Sequence, residues 1–292
     1  MTVAILGCGY IGLELARQLR SDHDVVGVRR SESGIEAVEA TGASGVRADV
    51  TDDEALSAVP DAEWVVFAAS SGGRAAAAAR EVYVDGLRTA IDHFCARESP
   101  PERFVYTSST GVYGDHDGDW VDEETPIDPT TEKTEVLAEA ERLAVERPGE
   151  DTDGTVARFS GLYGPDRYRL SRYVEGPVTE GYLNIVHRAD AAGSVRHLLE
   201  SDSARGQVVN VVDDEPVSKW AFADWLAEQC GEPSPPKRTK AERLGSDDLS
   251  EAAKRRIGTS KRVSNDRLRA LGYEFEYPTF REGYRAAVES YK

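Results

Sequence analysis

Lysine is scarce in this chain of 292 residues, and acidic residues are in large excess. The 53 aspartates and glutamates outnumber 35 lysines and arginines, of which only seven are lysine, and the formal net charge is −18. A negative field of this size repels nucleic acid and anionic membranes, so neither is expected as a partner. An acidic, lysine-poor surface is typical of a protein adapted to molar salt, where self-repulsion is screened. An ordinary acidic enzyme is the alternative interpretation.

Cysteine and long apolar runs are also scarce. The three cysteines, Cys8, Cys95 and Cys230, are odd in number and widely spaced. They support neither a disulfide framework nor a zinc site, and we expect no bound metal. No run of about 18 apolar residues occurs, and the N-terminus lacks the basic region and apolar stretch of a secretory signal. We therefore expect a cytoplasmic protein.

Short apolar runs alternate with helical patterns over the first half of the chain. The runs lie at residues 2–6, 24–28, 64–69, 103–108 and 155–159. Long helices are predicted at residues 74–97 and 130–147. Strands that are apolar on both faces and alternate with helices indicate an α/β fold with a doubly wound parallel sheet. We expect a dinucleotide-binding domain at 1–165, to which a strand near 207–212 returns, and a smaller substrate lobe at 166–292.

Gly7, Gly9 and Gly12 follow the first apolar run with the spacing G-x-G-x-x-G. The first glycine makes a tight turn, the second lets the backbone approach a pyrophosphate, and the third lets helix and strand pack closely. The helix that follows presents N–H groups and a positive dipole end to the phosphates. The spacing predicts a Rossmann-type site for a dinucleotide, in which Tyr10 and Ile11 also contact the cofactor.

The residues at the end of the second apolar run, 24–28, indicate which of the two nicotinamide cofactors binds. A carboxylate there accepts hydrogen bonds from the 2′-hydroxyl of NAD, whereas arginine accommodates the 2′-phosphate of NADP. Arg29, Arg30 and Ser31 occupy this position without an acid, and two arginines with a hydroxyl suit a phosphate. We predict NADP(H), with NAD less favoured. Further cofactor contacts are expected at the ends of later strands, at Asp49, Val50, Ala68, Ala69, Ser70, Phe159 and Ser160.

Motifs farther along the chain resemble the extended short-chain dehydrogenase/reductase family, which includes nucleotide-sugar epimerases and dehydratases. Residues 108–114 (SSTGVYG) resemble the family's S-S-x-x-V-Y-G strand end, and residues 158–165 (RFSGLYGP) resemble its R-P-x-x-V-Y-G-P motif. Residues 184–190 (NIVHRAD) are similar to a segment that carries substrate contacts in this family. Residues 260–283 resemble the C-terminal segment of an atypical, uncharacterised branch of its epimerases. The resemblance implies a homodimer formed through the two long helices, and substrate contacts at Thr110, Tyr163, His187 and Arg188.

The family's proton-transfer pair, a tyrosine followed four residues later by a lysine, is absent. The chain has no tyrosine between Tyr113 and Tyr163. The family pattern places Lys133 at the tyrosine position and Leu137 at the lysine position. Ser109 matches the serine that orients the substrate oxygen. Its alternative role is to cap the next turn.

Two side chains are candidates to replace the missing pair. Lys133 can act as a general base if it faces the cofactor cleft, although a helical lysine among glutamates is commonly solvated. Tyr83 stands at the position of the family's N-V-x-G asparagine, with Asp85 nearby as a further candidate, although a helical tyrosine commonly packs in the core.

We predict Ser109, Lys133 and Tyr83 as the catalytic residues of an NADP(H)-dependent oxidoreductase or epimerase/dehydratase. Its substrate would be a small molecule, such as a nucleotide sugar, that carries a hydroxyl or keto carbon. The alternative is an NADP(H)-binding sensor without turnover, which the loss of the tyrosine and lysine motivates.

Overall fold

The computed structural model describes residues 1–72, 76–245 and 249–291. Its strands are β1 (Thr2–Leu6), β2 (Asp24–Arg29), β3 (Ser44–Arg47), β4 (Trp64–Phe67), β5 (Arg103–Ser109), β6 (Trp120–Val121), β7 (Asp153–Phe159), β8 (Gly161–Tyr163), β9 (Val178–Thr179), β10 (Tyr182–Leu183), β11 (Ile185–His187), β12 (Val208–Val211), β13 (Val217–Ser218), β14 (Lys237–Arg238) and β15 (Arg262–Val263).

The α-helices are α1 (Tyr10–Leu19), α2 (Glu32–Glu39), α3 (Asp53–Leu56), α4 (Ala76–Arg80), α5 (Leu87–Cys95), α6 (Glu132–Glu146), α7 (Leu170–Glu175), α8 (Arg188–Glu200), α9 (Lys219–Cys230), α10 (Lys240–Leu244), α11 (Glu251–Gly258), α12 (Asp266–Ala270), α13 (Phe280–Gly283) and α14 (Arg285–Tyr291). Short 3₁₀ helices span Thr110–Tyr113 and Asp202–Ala204, and a π-helical turn spans Glu81–Gly86. In these described residues, no helix has both the length and the apolar character needed to cross a membrane.

Seven parallel strands form the central sheet in the order β12-β7-β5-β4-β1-β2-β3. The order reverses at β1, whose two neighbours are β2 and β4, and such a switch point opens a crevice at the carboxyl ends of the strands. The predicted α/β class with a doubly wound parallel sheet is confirmed. The division into a domain and a smaller lobe stays a prediction.

The sheet is covered on both faces, and successive residues of β1 show how. Val3 and Ile5 pack into the cluster that α1 and α8 bury on one face, whereas Ala4 and Leu6 pack into the cluster of α5 and α6 on the other. Side chains alternate between the faces of a strand, so a strand buried on both sides is apolar throughout. A separate aromatic cluster around Phe222 and Phe280 joins α7, α9, α13 and α14.

The two predicted long helices differ in regularity. The predicted segment 130–147 contains one helix, α6 (Glu132–Glu146), whose start is fixed by a capping box between Thr131 and Thr134. Within the predicted segment 74–97, residues 76–95 instead form α4, the π-helical turn and α5 in succession. Arg74 and Ala75, at the predicted start, lie outside the described residues. A π-helical turn rotates the side chains that follow it, and such turns are frequent at functional sites.

Candidate functional site

A cleft of about 590 Å³ lies at the carboxyl ends of the central strands. All the residues predicted to hold a cofactor line it except Gly12. The predicted lining residues are Gly7, Gly9, Tyr10, Ile11, Arg29, Arg30, Ser31, Asp49, Val50, Ala68, Ala69, Ser70, Phe159 and Ser160. The three catalytic candidates Ser109, Lys133 and Tyr83 line the same cleft. The fold therefore brings the predicted cofactor-binding residues and the predicted catalytic residues into one cleft, although they are far apart in the chain.

The glycine turn has the shape that a dinucleotide requires. Gly7 has a φ of +81°, and a Cβ there would lie 2.2 Å from the Cα of Ala69. Gly12 packs away from the cleft, where a Cβ would lie 3.0 Å from the Ile5 side chain. Gly9 lies at the start of α1, whose first N–H groups have no acceptor within the helix. The residues present therefore fit a pyrophosphate group at this turn.

At the other end of the cleft, the predicted 2′-phosphate residues are held in place by neighbours. Arg29 donates from Nη1 to the carbonyl of Cys8 at 3.1 Å, so its guanidinium folds against the glycine turn. Arg30 donates from Nη1 to Asp49 Oδ2 at 3.3 Å. Ser31 Oγ accepts the Gly34 N–H at 3.2 Å and caps α2. Both guanidiniums remain at the cleft wall, where a phosphate can reach them.

Asp49 has a second role that the sequence did not indicate. Burial raises the pKa of its carboxyl, but hydrogen bonds from the Thr51 N–H and hydroxyl, and then from Arg30, outweigh this effect and lower the pKa overall. The ionised carboxylate anchors Arg30 beside the cleft.

Tyr83 and Lys133 meet in the cleft although they belong to different helices. Tyr83 lies in the π-helical turn, and Lys133 lies in the first turn of α6, with its Nζ 5.8 Å from the centre of the Tyr83 ring. Glu139, one of the acids that could have paired with Lys133, instead accepts from Arg80 at 2.7 Å. Asp85, the further candidate, is an exposed residue that pairs with Arg88 at 3.6 Å.

The surroundings of Tyr83 favour its ionised form. Burial raises the pKa of the phenol, but a 3.5 Å hydrogen bond from the Ser71 N–H and the charge of Lys133 outweigh the burial, so that the net pKa lies below the ordinary value. Ser109 lies at the end of β5, where its Oγ accepts the Gly111 N–H at 3.1 Å. A hydroxyl that accepts one bond can still donate its hydrogen to a substrate oxygen.

Four predicted substrate contacts do not line the cleft. Thr110, Tyr163 and His187 are only 7%, 2% and 5% exposed. Tyr163 stacks on Tyr284 with ring centres 4.9 Å apart. Arg188 pairs with Glu14 and is likewise absent from the cleft wall. Tyr284 and Tyr277, from the C-terminal segment, pack against Tyr163 and His187. The assignment of substrate contacts stays a prediction.

His187 has a structural role at the start of α8. Its Nδ1 accepts the Ala189 N–H at 3.3 Å, and its ring lies 3.9 Å from the Tyr277 ring. Burial, reinforced by the charge of Arg188, lowers the pKa of His187 to about 4. The imidazole is therefore neutral at pH 7 and serves as a helix cap.

Several cleft residues were missed by the sequence analysis. Arg167 contributes a charged group from the loop after the Gly164-Pro165 motif, and its position directly beyond a recognised motif was the only available signal. The other missed residues are apolar or hydroxyl-bearing neighbours of predicted ones: Val28, Ala48, Val82, Thr107, Ser108, Leu137 and Leu162.

A buried network supports the floor of the cleft. Arg158 donates to both oxygens of Glu141, with the shortest distance, 2.7 Å, between Nη2 and Oε2. Ser108 Oγ donates to Glu141 Oε1 at 2.6 Å, and Arg158 Nη1 donates to the Tyr113 hydroxyl at 2.8 Å. The Tyr113 hydroxyl in turn donates to Asn210 at 2.9 Å. This network ties α6, and with it Lys133, to β5, β7 and β12.

Comparisons with known proteins agree with this geometry. A sequence model of the NAD dependent epimerase/dehydratase family matches residues 3–205. Protein YeeZ of Escherichia coli (strain K12) is 30% identical over 285 residues, which cover 94% of this chain and 96% of that protein. A conserved protein of unknown function from Silicibacter pomeroyi is 30% identical, with a TM-score of 0.77, and the match covers 99% of this chain and 98% of that one.

A more distant structure shares the fold with a cofactor in place. The human epimerase family protein SDR39U1, solved with NADPH, superposes with a TM-score of 0.80 over 99% of each chain. Its sequence identity to this chain is 18%, so the likeness concerns the fold.

Proposed function

This chain belongs to the NAD-dependent epimerase/dehydratase family of the short-chain dehydrogenase/reductase superfamily, and we propose that it is an NADP(H)-dependent enzyme with a relocated proton-transfer pair. The substrate is a small molecule with a hydroxyl or keto carbon, for which a nucleotide sugar is a candidate. The meeting of Tyr83 and Lys133 in the cleft that Ser109 also lines is the observation that carries the proposal.

The preference for NADP(H) rests on charge at the ribose end of the cleft. Arg29 and Arg30 would hold the 2′-phosphate, and the turn from Gly7 to Gly12 would hold the pyrophosphate. When bound, the nicotinamide supplies the hydride chemistry. The human relative, solved with NADPH, is a protein of this fold that takes the phosphorylated cofactor.

The chemistry of this chain's own residues is proton transfer and orientation. The Tyr83 hydroxyl gives a proton to the substrate oxygen when a ketone is reduced, and takes it back when an alcohol is oxidised. Lys133 favours the phenolate by its positive charge, as the lysine of the usual pair does. Ser109 donates a hydrogen bond that holds the substrate oxygen beside Tyr83.

The test follows NADPH consumption with a panel of ketones and nucleotide sugars. Tyr83→Phe should lower kcat by about 10²- to 10⁴-fold because the proton donor is lost, while the Kd for NADPH stays within about twofold. Tyr291→Phe, the same chemical change at an exposed position outside the cleft, is the matched control and should leave kcat unchanged. A wild-type kcat in the Tyr83 variant contradicts the proposed pair.

Lys133 has a distinct signature in the pH profile. The charge of Lys133 lowers the pKa of Tyr83. In Lys133→Met the acidic limb of the pH–rate profile for alcohol oxidation should therefore move to higher pH, because Tyr83 then ionises only at higher pH. Lys133→Arg keeps the charge and should restore most of the profile. Tight NADPH binding with no turnover on any panel member would instead support the NADP(H)-binding sensor.

We further propose that the acidic surface is an adaptation to molar salt. The charge of −18 and the scarcity of lysine support this proposal. A homodimer through the segments 74–97 and 130–147 and a cytoplasmic location also stay predictions.

A further inference from the structure

The arginine that the sequence analysis missed, Arg167, lies against the glycine turn. Its guanidinium carbon is 4.0 Å from the centre of the Tyr10 ring, and Tyr10 is the first residue of α1, directly after Gly9. Arg167 also lines the same cleft as the turn. A cation stacked on the residue that begins the phosphate-binding helix is close to where a bound pyrophosphate must lie.

Two hydrogen bonds hold the loop that carries Arg167 in this position. The Tyr10 hydroxyl donates to the carbonyl of Pro165 at 3.0 Å, and the Arg167 N–H closes a tight turn on the carbonyl of Gly164 at 2.9 Å. Asp166 adopts a positive φ of 66°, which is rare outside glycine. The backbone therefore holds Arg167 over Tyr10 through contacts that do not involve its guanidinium.

The charge of Arg167 has no counterion among the residues that the structure describes, in contrast to its neighbour. Arg188 lies over the same Tyr10 ring at 5.1 Å, but it pairs with Glu14 at 3.4 Å. No described carboxylate pairs with Arg167. In a chain with 53 acids, an arginine that lines a cleft without such a partner can bind an anionic ligand there.

We propose that Arg167 is a pyrophosphate-binding residue that acts together with the glycine turn. The inference rests on the proposed binding of NADP(H) and adds a residue outside the glycine motif to that site. The turn itself offers N–H groups and a helix dipole but no charged side chain. Arg29 already folds against it through the carbonyl of Cys8, and Arg167 adds a second positive charge.

The test measures Kd by calorimetry for three ligands and two variants. Arg167→Ala should raise the Kd for NADPH and for NADH by the same factor, about 10-fold, because both contain the pyrophosphate. The Kd for adenosine 2′-monophosphate, which lacks the pyrophosphate, should not change. Arg188→Ala removes the paired arginine from the same ring and should change the Kd for NADPH by less than about twofold.

Three outcomes would overturn the inference. An unchanged Kd for NADPH in Arg167→Ala excludes the contact. An equal loss for adenosine 2′-monophosphate indicates a general effect of charge or folding. An unchanged Kd for NADPH together with a raised KM for the substrate indicates that Arg167 binds an anionic group of the substrate instead of the cofactor. Wild-type protein that binds NADPH without turnover, with Arg167→Ala weakened as expected, contradicts the proposed enzyme but leaves this inference standing.

Discussion

Replacing Glu141 by glutamine should lower the free energy of unfolding by about 3–5 kcal/mol. The side chains of Glu141 and Arg158 are only 5% and 7% exposed, so the pair is almost fully removed from water. Glutamine keeps the size of the side chain and an oxygen for Ser108, but it leaves the Arg158 charge buried without a counterion. Arginine cannot become neutral by releasing its proton, so the folded state carries the full free-energy cost of an unpaired buried charge.

An exposed ion pair between the end of α6 and α5 provides the matched control. Arg147, at the end of α6, donates two hydrogen bonds of 2.6 Å to Asp92, with side chains 40% and 50% exposed. Asp92→Asn is the corresponding change from carboxylate to amide, and it should lower the free energy of unfolding by less than about 1 kcal/mol. Raising KCl should shrink the effect at Asp92 and leave the effect at Glu141 nearly unchanged, because buried charges are screened less.

Urea unfolding at fixed KCl is the appropriate assay, since guanidinium is itself a salt. Equal losses in the two variants would refute the argument that burial decides the strength of the pair. Glu141→Leu combined with Arg158→Met removes both charges and should recover most of the lost stability. If Glu141→Gln does not fold, the double variant provides the test, because a protein without either buried charge should still fold.

Three further predictions concern salt, pH and the glycine turn. Tm should rise with KCl through the molar range as the charge of −18 is screened, and a Tm independent of salt contradicts adaptation to high salt. His187 has a pKa lowered from 6.5 to about 4, so the stability it contributes above pH 6.5 should fall by about 2 kcal/mol between pH 7 and pH 5. Urea unfolding should show that His187→Gln removes this slope. Gly7→Ala should abolish measurable NADPH binding in calorimetry because its Cβ meets Ala69, whereas Gly72→Ala, which also has a positive φ but open surroundings, should bind normally.

The parts of the molecule that the sequence predicted depend on residues close together in the chain. The apolar runs determine β1, β2, β4, β5 and β7 because a strand covered on both faces needs an apolar residue at every position. The glycine turn is equally local, since Gly7, Gly9 and Gly12 act within six residues. The fold class and the shape of the phosphate turn were therefore accessible from the sequence.

The burial of side chains was not predictable where their surroundings come from distant parts of the chain. Tyr163 and His187 belong to motifs that mark substrate contacts in the related family, but Tyr284 and Tyr277 cover them from the C-terminal segment. A motif predicts the position of a residue in the fold, whereas its exposure depends on what packs above it. The π-helical turn around Tyr83 was unpredictable for a different reason, because helix periodicity assumes a regular helix.

The charges of the cleft connect the acidic surface with the choice of cofactor. Arg29, Arg30, Lys133 and Arg167 line the cleft, and Asp49 is the one carboxylate among its lining residues in the described chain. An anionic cofactor is therefore repelled by the protein at long range and attracted at contact. Molar salt removes the long-range repulsion, since the Debye length falls to about 3 Å at 1 M, but it weakens contacts inside a cleft much less. An acidic exterior and an anionic cofactor are thus most compatible at high salt.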